Sequence, residues 1–151
     1  MMQIITATLE QLPELVEMFD AYRVWYRKSS DKDRARGFLK ERIEQNDSVI
    51  YMALDIEIGE AAGFTQLYPL FSSTRMRRLW LLNDLFVKPE HRGKGISKLL
   101  IERSKELARS TDAAGVLLET ELTNDIGNNL YPATGFELNT TTHYYFWTNE
   151  S

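Results

Sequence analysis

One stretch, residues 81–100, constrains this chain more than any other. Its apolar run ends at Val87, is interrupted by a proline, passes through two glycines and takes helical apolar spacing from Ile96. This order predicts a strand, a glycine turn and a helix start. Gly93 and Gly95 let the backbone turn its N–H groups inward, and the first helical turn adds unpaired donors. The stretch therefore predicts a site for a phosphate or a diphosphate.

Two common phosphate-binding motifs do not fit this stretch. A Walker loop requires a glycine where Lys88 stands, and a serine or threonine where Gly95 stands. The dinucleotide fingerprint requires a small residue at the position of Lys98, and an acidic residue where Ala113 and Ala114 stand. Neither a nucleotide triphosphatase loop nor a dinucleotide site is predicted.

The pattern that fits is Arg-x-x-Gly-x-small, at Arg92, Gly95 and Ser97. A second block at 124–136 reads Asn-x-x-Gly-x-x-x-Tyr-x-x-x-Gly-Phe. In these two blocks the chain resembles the GNAT superfamily of acyl-CoA-dependent N-acetyltransferases, whose motifs are Gln/Arg-x-x-Gly-x-Gly/Ala and Asn-x-x-Ala-x-x-x-Tyr-x-x-x-Gly-Phe. Ser97 and Gly127 depart from these motifs and are still small. The resemblance covers nearly the whole chain.

Length and pattern predict one domain, residues 1–151, of mixed α/β class. The resemblance implies the GNAT fold, in which a mixed, mostly antiparallel sheet is split by a V-shaped acetyl-CoA cleft and flanked by about four helices. A strand, a helix and a strand within 79–121 imply one parallel pair. Strands are predicted at 3–8, 49–54, 62–68, 76–87, 116–120, 136–139 and 143–147, and helices at 12–27, from a cap at Ser30 to about 45, at 96–109 and through 130–131.

The resemblance implies that acetyl-CoA is the co-substrate and that its pantetheine arm lies beside the strand ending at Val87. The residues implied to bind it are Leu85, Phe86, Val87, Arg92, Gly93, Lys94, Gly95, Ile96, Ser97, Asn124 and Tyr131. Three structural alternatives stay open. The glycine turn could start a helix without any ligand, the apolar residues could simply be core, and Asn124 could be a helix cap.

The resemblance also implies the catalytic groups. Tyr131 stands where the family has its general acid, and a phenol of pKa near 10 can protonate a thiolate whose thiol has a pKa near 8.5. Its alternative is a packing aromatic. Family members that acetylate polyamines carry Glu-Asp where this chain has Asn83 and Asp84. Asn83 cannot accept a proton, so Asp84 is the candidate base, with Glu119 and Glu121 as alternates.

The acceptor side is implied to lie on the first two helices and the closing hairpin. Aromatic side chains there could surround a cationic amine, or could equally be core and subunit interface. The predicted activity is direct transfer of acetyl to a primary amine of an amino acid, a polyamine or a similar small molecule. Acetylation of a protein lysine or N-terminus, and a non-catalytic acyl-CoA-binding module, are the alternatives. The candidate acceptor-binding residues are Tyr22, Tyr26, Asn83, Asp84 and Glu119.

Composition limits the partners, metal sites and location that the chain can have. A net charge of -4 and a pI near 5.3 argue against nucleic acid as the main partner. The absence of cysteine excludes a disulfide, a thiolate nucleophile and a cysteine zinc site, and no metal is expected. No apolar run is long enough to span a bilayer, so a cytoplasmic enzyme without a membrane partner is expected. A homodimer is also expected.

Overall fold

A computed structural model describes residues 1–150. Two compact units divide the chain, Met1–Glu119 and one from Thr120 onward. Within the described residues, the strands are β1 (Met2–Thr6), β2 (Val49–Asp55), β3 (Glu60–Ser72), β4 (Arg77–Val87) and β5 (Val116–Leu117), and the α-helices are α1 (Leu12–Trp25), α2 (Lys32–Glu44), α3 (Ile96–Ser110) and α4 (Asp125–Ala133).

The strands of the first unit form one sheet in the order β1-β2-β3-β4-β5. Strands β1 to β4 are antiparallel neighbours, and β5 runs parallel to β4. One face of the sheet carries a core shared with α1 and α2, to which Phe64 and Phe86 belong. The helix α3 packs on the opposite face. Tyr51 of β2 precedes the core residue Met52, so its side chain points away from the core, and its ring lies 4.4 Å from the guanidinium of Arg103 on α3. The predicted mixed, mostly antiparallel sheet flanked by about four helices is confirmed.

A β-bulge at Asn83 changes which side chains of β4 face which helices. Gln66 of β3 lies opposite Asp84, but Leu67 lies opposite Leu82, so Asn83 is the extra residue. Successive residues of β3 point to opposite faces, and cross-strand partners share a face. Asp84 therefore lies on the α1 and α2 face with Gln66, whereas Leu82 lies on the opposite face.

The loop between α1 and α2 is held by a buried carboxylate. Asp20 accepts hydrogen bonds from the Ser30 hydroxyl at 2.6 Å and from the main-chain N–H of Asp31 at 2.7 Å. The prediction that Ser30 caps the second helix is wrong, because its hydroxyl is donated to Asp20. Asp31 is the cap instead, and its side chain accepts from the N–H of Arg34.

Replacing Asp20 with Asn is expected to lower the free energy of unfolding by about 1–2 kcal/mol at neutral pH, because a charged acceptor of two hydrogen bonds is lost. The Ser30 hydroxyl lowers the pKa of Asp20 below its ordinary value. The stabilisation is therefore present above the unfolded-state pKa, about 3.9, and is lost as pH falls through the lower folded-state pKa. Urea unfolding at a series of pH values measures it. The gap between wild type and Asp20→Asn should close in acid, whereas exposed Glu137→Gln should match wild type throughout.

Two further predictions about strands need correction. The strand predicted at 116–120 is only Val116–Leu117, and the closing strands at 136–139 and 143–147 are absent from the described residues after Ala133. Alternating aromatic residues suit a strand, but a strand also needs a partner for its main-chain groups. The closing hairpin expected to line the acceptor side is thus not formed, and the aromatic side chains at 144–147 are exposed.

Candidate active site

The glycine turn has the backbone geometry that an anion site requires. Gly93 and Gly95 have φ angles of +76° and +78°, and in the described chain a Cβ on either would meet nothing within 4 Å. Gly95 is also the N-cap of α3 and, as a glycine, has no side chain to supply the capping hydrogen bond. The first helical hydrogen bond runs from the N–H of Leu99 to the carbonyl of Gly95. The earlier N–H groups of α3 are therefore left for solvent or an anion.

A small polar cluster fixes the beginning of this turn. Buried His91 ends the 3-10 turn Pro89–His91, and its Nε2 lies 3.6 Å from Oε1 of Glu60. The same oxygen lies 3.5 Å from Nζ of Lys88. With Glu90, these residues bring three potential metal-ligating groups within 4.8 Å of one another. Since the Lys88 ammonium already faces Glu60, the cluster is best described as an anchor for the turn.

Arg92 links the turn to α1 and to the end of β4. Its Nε donates to the carbonyl of Val87 at 3.0 Å. Its guanidinium lies 5.1 Å from the ring of Trp25 and 5.9 Å from that of Phe86. Arg92 and Lys94 are exposed, whereas Ile96 is buried as the first residue of α3. The side chains of Arg92 and Ile96 thus already make structural contacts, and their roles toward a ligand stay predictions.

The sheet opens beside the second half of β4. The pairing of β4 with β5 consists of Trp80 with Val116 and Leu81 with Leu117. Beyond these pairs, the β5 side of β4 has no strand partner within the described part of the chain. This places the predicted split beside residues 82–87. Leu85 and Val87 are half-buried, and Phe86 is a buried core residue, so a ligand in the split would contact the main chain rather than the Phe86 ring.

Asp84 is a buried carboxylate at the bulge, 3% exposed. Its Oδ2 accepts from Nε2 of Gln66 at 2.6 Å, and its Oδ1 accepts from Nδ2 of Asn83 at 3.0 Å. Burial raises the pKa of Asp84, although hydrogen bonds from Gln66, Asn83 and Tyr22 act in the opposite direction. A carboxylate whose pKa is raised toward the working pH is a better proton acceptor than an exposed one.

Tyr22, near the end of α1, lies beside this carboxylate, and Tyr26 is the C-cap of that helix. The Tyr22 hydroxyl donates to the carbonyl of Asn83 at 3.2 Å, and its ring lies 5.0 Å from that of Tyr26. The Tyr22 ring also contacts Phe86 at 6.5 Å. The structure therefore brings Tyr22, Asn83 and Asp84 together, with Tyr26 against the Tyr22 ring, and their assignment to the acceptor stays a prediction. Glu119 is exposed at the end of the first unit.

The second unit explains the departure at Gly127. Asn124 caps α4, since its Oδ1 accepts from the N–H of Gly127 at 3.1 Å and its Nδ2 donates to Oγ1 of Thr120 at 2.8 Å. A Cβ on Gly127 would lie 2.6 Å from that Nδ2 and 3.2 Å from the Tyr131 ring. The capping interpretation of Asn124 is confirmed. Half-buried Tyr131 packs edge-on against Phe136 at 5.8 Å, and its acid role stays a prediction.

The sequence interpretation missed Gln66, although a signal was present. Gln66 is an amide within the buried run 61–67, and a polar side chain in such a strand requires a partner. The identity of that partner depends on the bulge at Asn83, which sequence alternation does not reveal.

The Acetyltransferase (GNAT) family profile matches residues 12–136. The chain belongs to the GNAT family. This GNAT acetyltransferase is 42% identical to YhfO, an uncharacterized N-acetyltransferase of Bacillus subtilis, over 139 residues that cover 92% of each chain. A solved structure described as a "probable acetyltransferase" matches it with a TM-score of 0.94 and 35% identity, over 99% of each chain.

A second solved structure shares the fold at lower identity. An aminoglycoside N-acetyltransferase in complex with CoA matches this GNAT enzyme with a TM-score of 0.83 and 19% identity, over 100% of this chain and 96% of that one. The predicted superfamily, fold class and acyltransferase activity are thus confirmed. Within residues 1–150, no helix is both long enough and apolar enough to cross a membrane.

Proposed function

We propose that this GNAT acetyltransferase transfers the acetyl group of acetyl-CoA to the primary amine of a small molecule, directly within a ternary complex. The observation that supports it most is Asp84, a buried carboxylate held by hydrogen bonds beside Tyr22, at the point where the sheet opens. A buried carboxylate facing aromatic rings suits a cationic amine, since it attracts the ammonium and then accepts its proton.

Acetyl-CoA is proposed to bind along the opened edge of β4 and over the glycine turn. The N–H groups at Gly93, Gly95 and the first turn of α3 would hold the diphosphate, and the main chain of Leu85 and Val87 would hold the pantetheine arm. The aminoglycoside N-acetyltransferase of the same fold was solved with CoA, which supports the co-substrate. Exposed Lys94 would add positive charge beside the diphosphate.

The transfer itself needs a base, an aligned thioester and an acid. Asp84 takes a proton from the ammonium, and the neutral nitrogen then attacks the thioester carbonyl. A C–N bond forms and the C–S bond breaks. The nitrogen loses one of its two remaining protons, which balances the proton that the thiolate takes up, and keeps the other as the amide N–H. The proton on Asp84 returns to solvent. The products are the N-acetylated amine and CoA as a free thiol. Because no cysteine is present to carry the acetyl group, alignment of the two substrates supplies much of the acceleration.

Tyr131 is proposed as the acid that protonates the thiolate, because it occupies the tyrosine position of the family motif on α4. Tyr131→Phe is expected to lower kcat by roughly 10²-fold. The packing against Phe136 should persist, since Phe retains the ring. Steady-state kinetics with a fixed amine measures the loss, and Phe136→Leu is the control for packing alone. Full turnover in Tyr131→Phe would exclude the acid role.

The acetyl transfer is tested by incubating the protein with acetyl-CoA and a panel of amines while free thiol is measured. The panel should contain polyamines, amino acids, aminoglycosides and a lysine-containing peptide. A series of alcohols serves as the negative control. Amine-dependent thiol release, with mass spectrometry showing the acetylated amine, supports the proposal. Thiol release only with the peptide would transfer the assignment to a protein acceptor. Tight CoA binding without release for any amine would favour a binding module.

A further inference from the structure

We propose that Gln66 is a positioning residue that orients the Asp84 carboxylate toward the acceptor amine, and that Ser48 in turn orients the Gln66 amide. This inference rests on the proposed function, in which Asp84 receives the amine proton. It assigns a role to a side chain that does not itself touch the substrate.

The contacts of Gln66 account for both ends of its amide. Its Nε2 donates to Oδ2 of Asp84 at 2.6 Å, and its Oε1 accepts from Oγ of Ser48 at 3.0 Å. Gln66 is fully buried, so an unpaired amide here would destabilise the fold. In the buried run 61–67 only Thr65 and Gln66 are polar, and Gln66 has both ends of its amide paired with side chains.

The Ser48 hydroxyl fixes the orientation of the amide. An ionised carboxylate can only accept hydrogen bonds, so the NH₂ end of Gln66 must face Asp84. A donor at the other end stabilises that orientation, because it satisfies Oε1 and leaves Nε2 directed at the carboxylate. Ser48 therefore favours the ionised form of Asp84 without contacting it.

The two carboxylate oxygens consequently have different surroundings. Buried Gln66 holds Oδ2, whereas Oδ1 lies next to the exposed residue Asn83. Two other titratable groups lie close to Asp84. The Tyr22 hydroxyl, which donates to the carbonyl of Asn83, lowers the pKa of Asp84, and Tyr68 of β3 has a pKa that burial raises far above its ordinary value, so it stays neutral. Gln66 thus immobilises the inner oxygen and leaves the outer one for the amine proton.

The test compares Gln66→Met with Thr65→Val. Met matches the length of Gln but cannot donate, so the ionised form of Asp84 loses support and its pKa rises further. We expect kcat/KM to be roughly tenfold lower at pH 7, with the acidic limb of the pH profile moved to higher pH and the rate recovered in alkali. Thr65 is equally buried and donates to the main-chain carbonyl of Asp84 at 2.8 Å, so Thr65→Val should leave the acidic limb in place.

A second readout needs no turnover. The carboxyl carbon of Asp84, assigned by comparison with Asp84→Asn, is titrated by NMR in protein free of substrates. A midpoint moved to higher pH in Gln66→Met supports the inference, even if Asp84→Asn proves active and the proposed base role fails. An unchanged midpoint overturns it, even if the base role holds. Should Gln66→Met not fold, Ser48→Ala decides in the same way, with a smaller shift expected and no shift overturning the inference.

Discussion

Asp84→Asn is expected to lower kcat/KM for the amine roughly 10³-fold, equivalent to about 4 kcal/mol of transition-state stabilisation. An amide cannot accept a proton at neutral pH, so the ammonium would have to lose its proton to water instead. The affinity for acetyl-CoA should stay unchanged, because the side chain of Asp84 lies on the α1 and α2 face with Gln66. Steady-state kinetics and calorimetric titration of acetyl-CoA measure the two quantities separately.

The pH profile makes this prediction specific. The reaction requires ionised Asp84, so the rate rises as pH increases through its pKa, which burial raises. The wild-type profile should therefore have an acidic limb above the ordinary range of an aspartate, and Asp84→Asn should lack it. Glu119→Gln is the matched comparison, since Glu119 is an exposed carboxylate proposed for the same site. A large loss in Glu119→Gln together with an active Asp84→Asn would reassign the base.

Gly95→Val is expected to raise the dissociation constant of acetyl-CoA roughly 30-fold, about 2 kcal/mol. Gly95 has a φ of +78° at the start of α3, a conformation that a β-branched residue adopts only with strain. The turn would relax and redirect its N–H groups, and the new side chain would occupy the open surface beside them. Calorimetric titration measures the change.

The control for Gly95→Val separates strain from binding. Gly59 lies in the turn between β2 and β3, has a φ of +66°, and also has open space around it among the described residues. Gly59→Val should therefore lose a similar amount of folding stability without weakening acetyl-CoA binding. Equal acetyl-CoA affinities for Gly95→Val and Gly59→Val would show that the glycine turn is not the diphosphate site.

Local signals in the sequence were sufficient for much of the fold. The end of β4 at Val87, the positive-φ glycines and the start of α3 at Ile96 all follow from short-range steric and capping rules, and the structure has them where predicted. The parallel pair of β4 and β5 follows from chain order in the same way.

Features that depend on partners were not predictable. The sequence alternates Trp80, Leu82, Asp84 and Phe86, which would put all four side chains on one face of a regular strand. The bulge at Asn83 separates the first pair from the second, and it is visible only in the register with β3. The prediction of closing strands at 136–139 and 143–147 was wrong for a related reason. Alternating aromatic residues do not by themselves provide a partner strand.

This bulge divides β4 into two segments whose side chains contact different parts of the protein. Before it, Trp80 donates from Nε1 to the hydroxyl of Thr111 at the end of α3, so that segment anchors a helix. After it, Asp84 and Phe86 face Tyr22 and the proposed acceptor site. Substitutions at Phe86 can therefore change the surroundings of the proposed acceptor without disturbing the contact between Trp80 and the end of α3. Because Asn83 is the extra residue, its deletion would leave Leu82 and Asp84 as neighbours that still face opposite layers, whereas pairing Asn83 with β3 in a regular ladder would turn Asp84 and Phe86 to the other layer.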